Sequence, residues 1–356
     1  MSMVWKVGWA MRRPLDQLVI SSSGRGRRLL PCCPAAFISP DPTASAMKIV
    51  FASSHEITPH EWIDPLAAAL PGAEVVLWRP DLPVLDADIA VVWGPPAELF
   101  ERERKLRAVF NLGAGVDALF KLPTLPAGLP IVRLEDAGMA VQMAEYAVWA
   151  VVRASRQLDD YAAQQRAGVW QPLPELDRTQ WPIGVLGTGV MGTRVAQTLA
   201  GLDYPVAGWS RSGKVPAGVQ GYAGLERLPA FLARTRVLIN TLPLTDETRD
   251  ILRHDTLQQL LPQSYLINMG RGEHLVEEDL LALLESGHMH GATLDVFRQE
   301  PLAAGHPFWN HPRITVTPHV AALSLRRETI AQVADKISRF MRGEPLTGMV
   351  ARDRGY

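Results

Sequence analysis

From Met47 onward, short apolar runs alternate with longer amphipathic stretches, and few folds accommodate that rhythm. Residues 48–52, 74–77, 89–93, 108–112 and 131–134 read as strands of a first unit spanning about 47–138, with 60–70 and 98–106 as helices. A second alternation begins at Ile183, where 183–186, 206–209, 237–241, 265–268, 291–294 and 314–317 read as strands. Strands separated by helices pair in parallel, since a parallel neighbour is reached only by a crossover. The expected class is α/β, with two doubly wound parallel-sheet domains.

Between the units, Met143, Ala147, Val151, Ala154 and Leu158 have the spacing of one long helix over about 140–166. A final helix is expected over 323–341, returning the chain to the first unit. The expected domains are therefore 47–139 with 322–356, and 140–321. Residues 1–46 differ in composition: arginine- and serine-rich, with only Asp16 and Asp41 as acids. Such ends occur in transit peptides. The favoured expectation is a disordered or non-native extension, because 47–53 reads as a fresh first strand.

Composition narrows the function. Apolar residues make up 47% of the chain, charged ones 21%, and the formal net charge is −1. That balance gives no field drawing the chain to nucleic acid or an anionic membrane, and no apolar run reaches the ~18–20 residues of a bilayer span. The two cysteines, Cys32 and Cys33, are adjacent and build no disulfide framework. A cytoplasmic protein is expected. His288 and His290 form a lone His-x-His, read as exposed loop histidines, and no metal is expected.

The strand 183–186 runs into Gly187-Thr-Gly-Val-Met-Gly192, followed by a proline-free helix over 190–199. In that context Gly187 permits a tight turn, Gly189 a close approach to a pyrophosphate, and Gly192 close helix–strand packing. The helix amino end meets phosphates with free N–H groups and a favourable dipole. A Rossmann dinucleotide-binding domain follows. NAD-binding versions place an acid at the end of the second strand. Here that strand ends in Ser210-Arg211-Ser212, without a carboxylate. A guanidinium between hydroxyls suits a 2′-phosphate, so NADP(H) is expected in preference to NAD(H).

Three further runs, 265–268, 291–294 and 314–317, are followed by Arg271, Glu300 and His319. Ligands in open parallel sheets sit beyond the carboxyl ends of the strands. A guanidinium there grips a carboxylate, an imidazole passes a proton, and an acid bonded to the imidazole keeps it a donor. Reduction of a 2-oxo acid needs that set, because negative charge develops on the carbonyl oxygen. The glycines flanking Arg271 allow it a close approach to a ligand.

The motifs as a set resemble the D-isomer-specific 2-hydroxyacid dehydrogenases, most closely the bacterial class A glyoxylate/hydroxypyruvate reductases. They are Leu112-Gly-Ala-Gly-Val-Asp117, Met143-Ala-Glu-Tyr-Ala-Val-Trp149, Gly187-Thr-Gly-Val-Met-Gly192, Trp209-Ser-Arg-Ser212, Asn268-Met-Gly-Arg-Gly272, Asp295-Val-Phe-Arg-Gln-Glu-Pro301 and Thr317-Pro-His-Val-Ala-Ala322. The resemblance runs from Met47 to Tyr356. It implies a flavodoxin-like substrate domain beside the dinucleotide domain, catalytic roles for Arg271 and His319, and Glu300 as the acid that tunes the histidine. It also implies that Gly113, Ala114, Gly115 and Val116 offer backbone N–H groups to the substrate carboxylate, as a nest does, with Trp93 nearby. Cofactor contacts are implied for Val190, Met191, Leu242, Pro243, Met269, Gly270 and Asp295 besides the glycines and Ser210 to Ser212. Met269 stands where most such reductases have a smaller residue. A homodimer, with the helix near 140–166 at the interface, is implied as well.

The expected activity is NADPH-dependent reduction of glyoxylate to glycolate and of hydroxypyruvate to D-glycerate. The alternatives are a reductase of bulkier 2-oxo acids, and a dinucleotide-sensing, corepressor-like binding protein.

Overall fold

Two parallel sheets carry the fold of the computed structural model, which describes residues 46–355. Expectations placed on residues 1–45, Cys32 and Cys33 included, lie outside the described residues. The first sheet comprises β1 (Met47–Ser53), β2 (Ala73–Leu77), β3 (Ile89–Trp93), β4 (Ala108–Asn111) and β5 (Ile131–Arg133), in the order β2-β1-β3-β4-β5. This is the flavodoxin-like strand order. Helices α1 (Pro59–Ala69), α2 (Glu98–Arg102) and α3 (Asp117–Phe120) lie between its strands. Ile89, Ala90, Val91 and Val92 of β3 are all fully buried, as a strand covered on both faces must be.

Helices α4 (Met139–Ser155) and α5 (Leu158–Ala167) lead to the second sheet. It contains β6 (Ile183–Leu186), β7 (Val206–Ser210), β8 (Gln220–Ala223), β9 (Val237–Asn240), β10 (Ser264–Asn268), β11 (Met289–Leu294) and β12 (Ile314–Val316). The order is β12-β11-β10-β9-β6-β7-β8. It reverses direction at β6, so the crevice of a Rossmann sheet opens over the carboxyl ends of β6 and β9. Helices α6 (Val190–Ala200), α7 (Leu228–Leu232), α8 (His254–Leu257) and α9 (Glu277–Glu285) lie between these strands. Helix α10 (Arg326–Met341) follows β12 and packs on the first sheet. Its Val333, Ala334 and Ile337 share a core with Ile49, Phe51 and Ile89. Arg326 pairs with Glu61 of α1 at 2.9 Å, and Lys336 Nζ donates to the Arg133 carbonyl at 2.8 Å.

Four expectations change. The single helix over 140–166 is two helices, because Gln157 adopts a left-handed φ of 52°. Buried contacts sustain α4, whereas α5 buries nothing, so no tertiary contact enforces continuity past Ser155. The edge strand β8 was not expected: two of its four residues are exposed, and it lacks an apolar run. Helix α10 starts three residues later than expected, since Leu325 N–H donates to the Ala137 carbonyl at 3.1 Å and Ser324 Oγ bonds the Leu112 carbonyl at 3.3 Å. Finally, His290 belongs to β11 rather than a loop. His288 Nε2 is enclosed without a hydrogen-bond partner among the described residues.

Candidate active site

The glycine loop follows β6 at the reversal of strand order. Gly187 has a left-handed φ of 89°. A Cβ at Gly192 would lie 1.8 Å from the Gly187 carbonyl oxygen, so α6 approaches the turn more closely than any side chain allows. A Cβ at Gly189 would meet nothing within 4 Å, which leaves that backbone open to a ligand. Gly189 precedes α6 and makes no side-chain cap, so the amino-end N–H groups face the same opening. The cradle therefore fits a dinucleotide pyrophosphate. Beyond β7, Arg211 and Ser212 are exposed and Ser210 is half-buried. No acid stands in that turn. Val190 is exposed, whereas Met191 is half-buried against both core regions that flank it. Leu242 is buried and Pro243 half-buried in the loop after β9. Met269 is buried with Val185, Ile239 and Ala321, so the core absorbs the larger side chain.

Arg271, Glu300 and His319 follow the carboxyl ends of β10, β11 and β12, which are neighbours in the sheet. His319 Nδ1 lies 2.8 Å from Glu300 Oε2. The other Glu300 oxygen accepts the Phe297 N–H at 3.0 Å, orienting the carboxylate within its own loop. His319 has a φ of 55°, a costly conformation for a non-glycine residue that only a firmly held loop maintains. Asp295 supplies that hold. Its backbone carbonyl accepts the His319 N–H at 2.8 Å. Its carboxylate accepts from Thr317 Oγ1 at 2.6 Å, Val320 N at 2.9 Å and Ala321 N at 2.8 Å. Asp295 is 1% exposed, and its side chain holds the histidine loop. Because the Thr317 hydroxyl donates to Asp295, Tyr146 donates to Thr317, at 2.6 Å. Burial, with the nearby Asp295 charge, pushes the Tyr146 phenol up, so it remains a donor.

Arg271 reaches across to the loop after β4. Its Nε lies 3.2 Å from Asp117 Oδ1 and its Nη1 donates to the Gly270 carbonyl at 2.8 Å. A Cβ on Gly115 would fall 1.7 Å from Arg271 Nη2, so the guanidinium lies against that glycine. Asn111 Nδ2 draws the carbonyls of Gly113 and Gly115 inward, at 2.9 and 2.8 Å. Among the described residues no acceptor takes the N–H of Gly113, Ala114, Gly115 or Val116. Unpartnered amides beside a guanidinium form an anion cradle. Val116 contributes only backbone, since its side chain is buried in the first core. Trp93 is 43% exposed at the end of β3, its ring tilted against His55 and Trp62 with ring centroids 5.4 and 5.9 Å away. A cavity of about 200 Å³ opens beside this loop, lined by Gly94, Pro95, Asn111, Gly115, Ala118 and Leu119. A larger one, of about 430 Å³, lies among Glu103, Arg107 and Pro126 and touches none of these residues.

The glycines beside Arg271 are required by protein packing. A Cβ at Gly272 would collide with the Phe297 backbone at 1.8 Å, and one at Gly270 would meet Asn240 Nδ2 at 2.8 Å. They let protein loops pack together, bringing the Arg271 loop against the one that carries Glu300. Asp117 and His274 went unassigned in the sequence. An acid just after an anion-binding glycine loop is out of place unless a cation holds it, and that was the available signal for Asp117.

A profile described as "D-isomer specific 2-hydroxyacid dehydrogenase, NAD binding domain" matches residues 148–321. A glyoxylate/hydroxypyruvate reductase A from Citrobacter koseri is 48% identical over 300 residues, covering 83% of this chain and 96% of that protein. One of the same name from Klebsiella pneumoniae is 48% identical over 315 residues, covering 87% of this chain and all of the relative. Among solved structures, a D-isomer specific 2-hydroxyacid dehydrogenase from Xanthobacter autotrophicus, in complex with NADPH and MES, superposes with a TM-score of 0.82. It is 38% identical, covering 87% of this chain and 100% of that one. An NADPH-dependent glyoxylate/hydroxypyruvate reductase from Sinorhizobium meliloti, in complex with NADP and sulfate, gives a TM-score of 0.80 at 37% identity, with the same coverage.

Proposed function

The chain belongs to the D-isomer-specific 2-hydroxyacid dehydrogenases, and on that premise we propose that it reduces glyoxylate to glycolate and hydroxypyruvate to D-glycerate with NADPH. The observations that carry this reading are the His319–Glu300 pair after β12 and β11, and the Arg271 guanidinium, after the neighbouring β10, lying against Gly115 of the cradle. The names of the relatives and the NADPH or NADP bound in the solved structures supply the substrates and the cofactor.

The glycine loop and the amino end of α6 hold the pyrophosphate, and Ser210, Arg211 and Ser212 hold a 2′-phosphate. NADPH, when bound, supplies the hydride that adds to the 2-oxo carbon. Arg271 and the N–H groups of Gly113 to Val116 grip the substrate carboxylate and fix its orientation. His319, protonated and bonded through Nδ1 to Glu300, gives a proton from Nε2 to the carbonyl oxygen as charge develops there. Glu300 stabilises the charged imidazole before transfer and fixes its ring. Asp117 holds the Arg271 side chain toward the cradle. We read residues 47–139 with 322–356 as the substrate domain and 140–321 as the cofactor domain.

A homodimer belongs to the same reading. Val141, Trp149, Leu158, Tyr161 and Trp170 are apolar, at least 39% exposed, and clustered in sequence on and just beyond α4 and α5. No helix of the described residues is long and apolar enough to cross a membrane; a cytoplasmic location is part of the proposal. The test is steady-state NADPH oxidation with glyoxylate and hydroxypyruvate. Turnover within the usual 1–10³ per second is expected, and turnover below about 0.1 per second would favour a binding role.

A further inference from the structure

His274 is fully buried directly behind Arg271, and no step of the proposed reaction uses it. Its surroundings prescribe its protonation. Nδ1 lies 2.8 Å from Asn240 Nδ2 and accepts the Arg271 backbone N–H at 3.2 Å. The Asn240 amide is oriented by its oxygen, which accepts the Leu242 N–H at 3.2 Å, so its nitrogen faces His274 as a donor. Two donors converge on Nδ1, which must therefore be bare. The proton resides on Nε2, 3.2 Å from the Pro243 carbonyl, to which it donates. Burial holds the imidazole down to about 4, with the Arg271 charge acting in the same direction, so the ring stays neutral in the physiological range. Asn268 completes the cluster: its Oδ1 accepts from Asn240 Nδ2 at 2.9 Å and Gly270 N at 3.2 Å, and its Nδ2 donates to the Arg271 carbonyl at 3.2 Å.

We propose that His274 is a positioning residue: one imidazole, in its Nε2–H tautomer, sets the Arg271 backbone at a fixed distance from the Leu242–Pro243 loop. Arg271 belongs to the substrate cradle and Leu242–Pro243 to the expected cofactor wall, so the ring joins the two binding loops. The inference rests on the reading of Arg271 as the substrate-carboxylate ligand.

The two ring nitrogens can be tested separately. In His274→Asn the amide oxygen replaces Nδ1, keeping the bond to Arg271 N–H and losing the one to Pro243. In His274→Gln the longer side chain reaches the Pro243 carbonyl with its amide and leaves Arg271 N–H unpaired. One lost buried hydrogen bond is worth about a tenfold change. His274→Asn should weaken NADPH binding by about tenfold, read by nucleotide fluorescence, with the KM for glyoxylate unchanged. His274→Gln should bind NADPH like the wild type and raise the KM for glyoxylate by about tenfold. Nitrogen-detected NMR of the wild-type holoenzyme should show His274 as the Nε2–H tautomer from pH 8 to pH 6. An Nδ1–H tautomer, an imidazolium at pH 6, or the same losses in both variants would overturn the proposal. If neither variant folds, the tautomer decides alone. If the wild type fails to turn over glyoxylate, the substrate reading falls, while the NADPH-binding split and the tautomer still judge the role of the ring.

Discussion

At the scale of single residues, chemistry is set by neighbours that local sequence does not name. Arg271, Glu300 and His319 were legible because each follows an apolar run that had to be a strand, and strand ends in a parallel sheet share one edge. Asn240 and His274 were not, since their partners arrive from other loops and nothing in their own segments marks the contact; Asp117 had only its place after the glycine loop as a signal. Cofactor choice belongs to this scale. With no acid in the turn after β7, Arg211→Asp should replace attraction for the 2′-phosphate with repulsion. The ratio of kcat/KM for NADPH over NADH should fall by at least about tenfold. Steady-state kinetics with both nucleotides checks it; an unchanged ratio would remove Arg211 from the site.

Among elements, the inner strands of both sheets were readable because parallel strands buried on both faces are continuous apolar runs. The edge strand β8 escaped, having water on one side and two exposed residues. The break at Gln157 escaped because no proline or glycine marks it; the helix ends where burial ends. The loop after β12 is held from the adjacent β11 end by Asp295, whose carboxylate takes three hydrogen bonds. Asp295→Asn keeps one acceptor oxygen and turns an NH₂ group toward a donor. At about 1–3 kcal/mol for a buried group left unsatisfied, it should lower kcat by about tenfold or more and reduce the melting temperature. The Kd for NADPH should change little, because the carboxylate faces the loop. A weakened Kd with normal kcat would instead assign Asp295 to the cofactor contact.

Across the whole molecule, two ionic contacts bridge the loop after β4 and the loop after β10: Arg271 to Asp117 at 3.2 Å and Lys121 to Glu273 at 3.2 Å. The site is assembled where those loops meet. Sequence rhythm anticipated two sheets and a returning final helix, but not the buried polar cluster beneath Arg271. That cluster makes stability depend on pH. The unfolded chain protonates His274 below about pH 6.5, whereas the folded chain resists until about pH 4, so acidification favours unfolding. The stabilisation is complete above pH 6.5 and declines below it, by about 2 kcal/mol between pH 7.5 and pH 5. Urea unfolding at the two pH values should show the loss, and His274→Asn should reduce it. Identical pH dependence in the variant would show that the imidazole is not held neutral.

The central claim is that a proton leaves His319 as the 2-oxo carbon is reduced. The most direct measurement is kcat for NADPH-dependent glyoxylate reduction by His319→Asn, with the Kd for NADPH measured alongside. General-acid loss predicts a fall in kcat of roughly 10²–10⁴-fold with NADPH binding intact. A kcat within about threefold of the wild type would contradict the account.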